Sequence, residues 1–176
     1  MVPRVSRFHV MVSSVVLGAV ACSGSGAQLR GSVVTSGTVS YDLGPVAPSW
    51  EPLQVEGNDL AWHDAATEGT VHVNHTCDRS MDTPLTALVQ HLLIGFGARE
   101  VVLEETVPFD HREARHVVVR ASLDGVPRQM ELYVLKKDGC VFDLGLVAPP
   151  EHFEASRAAF AAFAGGFHTA RTPLDR

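Results

Sequence analysis

The chain has 176 residues, 45% of them hydrophobic and 19% charged, with a formal net charge of −6. Such a composition buries a core, which excludes a disordered chain, and the length suits one domain with appendages. An acidic chain without a Lys/Arg cluster also excludes nucleic acid as a partner and electrostatic docking on anionic lipid.

At the start, Arg4 and Arg7 precede an apolar run, Val10–Val20, of 11 residues. A helix needs ~20 apolar residues to span a bilayer, so residues 1–21 are read as a signal peptide rather than an anchor helix. Ala19-Val20-Ala21 suits ordinary signal cleavage through its small residues. Small residues directly before Cys22 also resemble a bacterial lipobox, in which the cysteine is lipidated and becomes residue one. Ala19 stands where a lipobox usually carries Leu, and Leu17 lies two positions early. The apolar run ending on a cysteine, followed by Ser-Gly-Ser-Gly, favours lipidation at Cys22 over simple cleavage after Ala21. Without the signal, 12 basic residues face 20 acidic ones, a charge of −8.

Three cysteines leave one over if the others pair. With Cys22 assigned to lipid, Cys77 and Cys140 form an even pair in an oxidising compartment, where a disulfide persists. Two buried free thiols are the alternative. The chain-entropy model gives such a bridge, closing about 64 residues, about 4 kcal/mol.

Residues 22–40 read as a lipid-anchored flexible tether, because Ser23–Ser40 is rich in Gly, Ser and Thr and offers only Leu29 and Val33-Val34 for burial. Its random-coil reach is about 24 Å. The folded domain is expected over 41–170. Three extended segments, Trp50–Val55, Asp59–His63 and Thr70–Thr76, open it, with turn chemistry at Gly57-Asn58 and Glu68-Gly69. Asp82-Thr83-Pro84 then caps a helix with Leu85, Leu88, Val89, Leu92, Leu93 and Phe96 on one face, ended by Gly95 and Gly97.

Four strands follow, Glu100–Val107, Glu113–Leu123, Gln129–Lys136 and Cys140–Val147, with Asp-Gly hairpin signals in Leu123–Pro127 and Lys136–Cys140. Pro149-Pro150 stops the last. A second helix runs from about Glu151, with Phe153, Phe160, Phe163 and Phe167 on one face and Gly165-Gly166 near its end. A core face on the sheet is the favoured reading of that stripe, a partner-docking stripe the lesser one. The order β-β-β-α-β-β-β-β-α gives an α+β domain: an antiparallel sheet flanked by two amphipathic helices.

The segments SWEPL, DLAWHD, PLTALVQHLLIGF, GCVFDLGLVAP and HFEASRAAFAAFAGGF, in that order, resemble the PsbP-like α-β-α sandwich. That fold is named for an extrinsic subunit of photosystem II and occurs in many bacterial lipoproteins. The likeness covers Tyr41–Phe167 and rests on element order and the strand-to-helix ending. It implies non-enzymatic adaptor or assembly roles and brings no catalytic residue set.

Nine histidines raise the question of a metal. His72 and His75, beside His63-Asp64, differ by an odd number and so point to opposite faces of a regular strand. His111 and His116 lack the spacing of two zinc-binding histidines four apart. No metal site and no cofactor are expected. There is no Gly-x-Ser-x-Gly elbow, and no triad follows from His75, Cys77 and Ser80 lying close in sequence. Glu104-Glu105 and Asp110 read as solvated acids at strand ends, and Gly95 and Gly97 close a helix instead of cradling phosphate ahead of one. No catalytic residue is assigned.

The sequence therefore implies an exported protein held at the membrane by its N-terminal lipid, in the outer membrane before the inner. It is read as a non-catalytic adaptor for an envelope protein partner. A small-molecule or lipid binder is the second reading and an envelope enzyme the third. A pocket of convergent polar groups would favour the latter two; a solid core with an exposed apolar patch would favour the first.

Overall fold

The computed structural model describes residues 26–78 and 82–169, and in it both Asp-Gly pairs close two-residue hairpins. Asp124-Gly125 and Asp138-Gly139 all have positive φ, between 51° and 81°, as the type I′ turn of a right-twisted hairpin demands. They join β8 (Arg112–Leu123), β9 (Val126–Lys137) and β10 (Cys140–Ala148) into a meander, with β7 (Phe96–Phe109) on the outer side of β8. The three expected segments ahead of the first helix are β4 (Trp50–Leu53), β5 (Leu60–Asp64) and β6 (Gly69–Thr76). All seven form one antiparallel sheet of order β4-β5-β6-β10-β9-β8-β7.

A helix covers each face. α2 (Phe153–Gly165) lies over β6, β9 and β10, and α1 (Leu85–Leu92) over β8 and β9. Strand alternation divides the core accordingly. Phe142, Leu144 and Leu146 of β10 meet the fully buried Phe153, Phe160 and Phe163 of α2, with Phe167 just beyond the helix. On the other face Val117, Val119, Met130, Leu132 and Val134 pack under Val89 and Leu93. The phenylalanine stripe is a core face. The expected order reappears as β4-β5-β6-α1-β7-β8-β9-β10-α2, an α+β fold.

Two expectations at α1 are corrected. Asp82 is exposed, 3.8 Å from Lys136, and Pro84 occupies the cap position with no side-chain hydrogen bond. The helix also stops at Leu92, because Gly95 turns the backbone at φ 92° and Phe96 already begins β7. Apolar spacing through Leu93 and Phe96 belongs to a turn and a strand that pack on the same layer as the helix.

The larger correction is at the N-terminus. Within the segment expected to be a flexible tether, β1 (Gln28–Arg30) and β2 (Val33–Ser36) form, and β3 (Val39–Asp42) starts there, in a second sheet of order β1-β2-β3-β11. Gly31 and Gly37 sit at φ 64° and 59° and close tight hairpins, while Val34 and Tyr41 are fully buried against the α2 layer. Strand β11 (His168–Thr169) returns after α2 to pair with Asp42 and Tyr41. Among the described residues, regular structure is therefore present from Gln28, within the segment expected to be a tether, and not only from Tyr41. Between β3 and β4 the chain grazes α2: Gly44 donates its N–H to the Phe163 carbonyl at 2.8 Å, and a Cβ on Gly44 would sit 1.9 Å from the Ala162 oxygen.

The signal peptide and the lipidation expected at Cys22 lie outside the described residues. Cys77 and Cys140 are joined, S–S 2.01 Å. The pairing of Thr76 with Val141 explains why: the next residues outward on the two strands are these cysteines, directly across from one another.

Candidate functional site

Helix α1 is short, and it leaves one end of its sheet face uncovered. There the register sets His63, Thr70, Val147 and Met130 side by side across β5, β6, β10 and β9. Phe96, Leu123 and Val126 form a second row across β7, β8 and β9, four residues away from Met130 toward the β8–β9 hairpin. The result is an open groove of about 560 Å³, lined by His63, Glu68, Thr70, Phe96, Leu123, Arg128 and Val147. Its Leu123 is 40% accessible, and Val126, paired with it across the hairpin, is 48% accessible. Glu68 and Arg128 bring both charge signs to the lining beside the apolar Phe96, Leu123 and Val147.

Further along the same face lies a buried polar pair. His72 pairs with Gly145, where any Cβ would fall 2.2 Å from the imidazole, so glycine makes the room for the ring. Its Nε2 is 3.8 Å from Asp143. Burial lowers the His72 pKa to about 4. Burial, with the charge of Asp59 added, raises that of Asp143 to about 7. At neutral pH the imidazole is uncharged and the carboxyl close to its midpoint.

Polar groups on the α2 face are tied up with each other. Asp59 accepts from Ser36 at 2.9 Å, from Tyr41 at 2.7 Å and from His75 at 2.5 Å. Burial and the neighbouring Asp59 push the Tyr41 phenol far above its usual range. His116 stacks on Tyr133 with ring centroids 4.3 Å apart and bonds Glu105 at 3.0 Å and Glu131 at 2.8 Å. Arg157 of α2 reaches the second oxygen of Glu131 at 2.8 Å. Burial would lower His116, but its two carboxylate partners raise it; burial would raise Glu131, but His116 and Arg157 hold it below the usual carboxylate range. These clusters read as packed, satisfied networks.

The opposite end of the sheet carries a third cluster, on the Asp110-His111 turn between β7 and β8. Asp110 accepts from Lys137 at 2.6 Å, from the Thr169 N–H at 2.9 Å and hydroxyl at 3.1 Å, and from His168 at 2.5 Å. Burial opposes ionisation, yet these donors keep its pKa below the usual carboxylate range.

Of the residues singled out from sequence, His63 reaches the groove. His72 and His75 face opposite sides, as their odd spacing requires: one lies against Gly145, the other stacks on Phe142. His111 and His116 are separate, the first on an exposed turn and the second buried. Glu104 pairs with Arg115 at 2.7 Å and Glu105 with His116, so the two acids do not converge with Asp110. Sequence reading missed Arg128, Phe96, Leu123 and Val147. Exposed apolar residues at Asp-Gly hairpin ends were the available signal.

No protein-family model matches the chain, and no curated relative matches it. Solved structures do. The solution structure of cyanobacterial PsbP (CyanoP) from Synechocystis sp. PCC 6803 aligns with a TM-score of 0.56 at 16% identity, covering 88% of this chain and 99% of that one. LpqN of Mycobacterium tuberculosis, described as involved in cell envelope biogenesis, aligns with a TM-score of 0.54 at 15% identity, covering 74% and 83%. The fold is PsbP-like.

Proposed function

We propose that this chain is a non-catalytic binding module of the bacterial cell envelope, lipid-anchored through Cys22, which seats an apolar segment of an envelope protein partner in the groove at Phe96, Leu123 and Arg128. The groove is the observation that carries this reading. Sites for small molecules enclose most of the ligand, whereas this one is open, and Val126, paired with Leu123 beside it, is exposed. Apolar side chains lined up with charged groups of both signs suit a protein interface. The likeness in fold to an envelope-biogenesis protein supports the location. Among the described residues no helix is long and apolar enough to cross a membrane; in this reading Cys22 supplies the anchor.

Each half has its test. Labelled fatty acid should enter the wild-type protein and not Cys22→Ala; a soluble, unlabelled wild-type protein would establish ordinary cleavage after Ala21 instead. Leu123→Asp places a charge on the apolar lining of the groove and should weaken the cross-linked complex in native membranes by about tenfold or more. Its fold should survive, since Leu123 is already 40% exposed. An unchanged complex with a folded variant refutes the groove, and a copurifying small amphiphile displaced by the same change would establish a ligand carrier in its place.

A further inference from the structure

The geometry points to a divalent transition-metal site formed by Asp110, His111 and His168, which clips the β7–β8 turn to strand β11. One ligand atom from each of the three lies within 4.8 Å of the others. The His111 and His168 rings meet edge to face with centroids 6.2 Å apart. The two imidazoles are exposed and open to an entering ion, while the Asp110 side chain is wholly buried. Lys137 and Thr169 hold one oxygen of Asp110, which turns the other toward His168 Nδ1. Carboxylate ligands are commonly fixed in this way by outer hydrogen bonds.

The turn itself adds an independent observation. Three two-residue hairpins join β7 to β10, and each begins with Asp at positive φ. Two continue with Gly125 and Gly139, the residue that the turn favours. The third has His111 at φ 60°, in backbone that a histidine adopts at a cost. This position keeps an imidazole where its two counterparts keep glycine, and the imidazole it keeps stands beside His168.

Two imidazoles and one carboxylate suit Zn²⁺ or a neighbouring first-row ion, with water completing the shell. Lys137 offsets the charge of Asp110, which disfavours Mg²⁺ and Ca²⁺, ions that depend on several anionic or carbonyl oxygens. The bound ion takes the place of the proton between Asp110 and His168. It ties β11, and through it β3 of the small sheet, to the main sheet.

Calorimetric titration of the untagged, exported chain with ZnCl₂ tests this, with MgCl₂ as the contrast. The expected result is saturable binding of about one Zn²⁺ and no binding of Mg²⁺. His111→Asn, which still accepts left-handed backbone, and His168→Gln should each weaken Zn²⁺ by at least about tenfold. His91→Gln, exposed on α1, should leave it unchanged. Melting curves in chelator establish that the variants fold; should His168→Gln unfold, His111→Asn alone decides, because its side chain is an exposed turn residue. Absence of saturable Zn²⁺ binding overturns the site, as does binding that neither variant weakens or that His91→Gln weakens equally.

Discussion

Glu131→Ala should destabilise the fold by about 3 kcal/mol, read by urea unfolding. Removing one partner of a buried ion pair costs about 3–5 kcal/mol. The low end applies because the Arg157 side chain is 38% exposed and can turn to water, and because His116 can lose its proton. The pH dependence identifies the cause. His116 is raised in the folded state, so its contribution is full below 6.5 and lost as pH rises through the higher folded value. Glu131 is lowered, so its contribution is full above 4.5 and lost as pH falls through the folded value. Both act together between those limits. The stability gap between wild type and Glu131→Gln should therefore be widest between pH 4.5 and 6.5, narrowing as pH rises through the raised His116 value and as it falls through the lowered Glu131 value. Asp143, raised to about 7, also titrates over this range, but it is present in both proteins and cancels in the difference. A gap that stays constant with pH would assign the cost to packing alone.

Loss of the Cys77–Cys140 bridge should cost about 4 kcal/mol, by the chain-entropy account for a separation of 63 residues. The double Cys77→Ser, Cys140→Ser variant is the cleaner probe, because reduction would leave two thiols facing each other across β6 and β10. The expected readout is a lower urea midpoint with the same far-ultraviolet circular dichroism. The effect belongs to the unfolded state, so the native sheet should persist: seven residue pairs between β6 and β10 remain without the bridge. A midpoint unchanged within about 1 kcal/mol would mean that the unfolded chain is already restricted by residual structure.

The main sheet was legible because its signals are local. Asp-Gly turns mark two hairpins, alternation marks β6, and four phenylalanines at helical spacing mark α2. The β1–β3 sheet was not, because Gly31 and Gly37 look like linker composition until they are seen closing hairpins around Val34 and Tyr41. Glu131 was hidden differently. In β9 it alternates with Met130 and Leu132 as a solvent-facing residue would, yet that face is covered by α2, and only the fold brings Arg157 over it. Asp110 and His168 lie 58 residues apart, and their meeting depends on β11 returning to β3, which two residues of strand cannot announce. The groove was invisible for a related reason: its lining comes from six strands, and its existence depends on how short α1 proves to be.

The groove is also where the account is most exposed. A photoreactive amino acid placed at Leu123 of the full-length chain, expressed in its native cells, reads its occupant directly. The same probe at Glu113, exposed at the opposite end of β8, supplies the control. The account predicts a discrete protein cross-link from position 123, absent from position 113 and competed by the unlabelled wild-type domain. A cross-link only to lipid or a small molecule at position 123, or the same protein band from both positions, would contradict it.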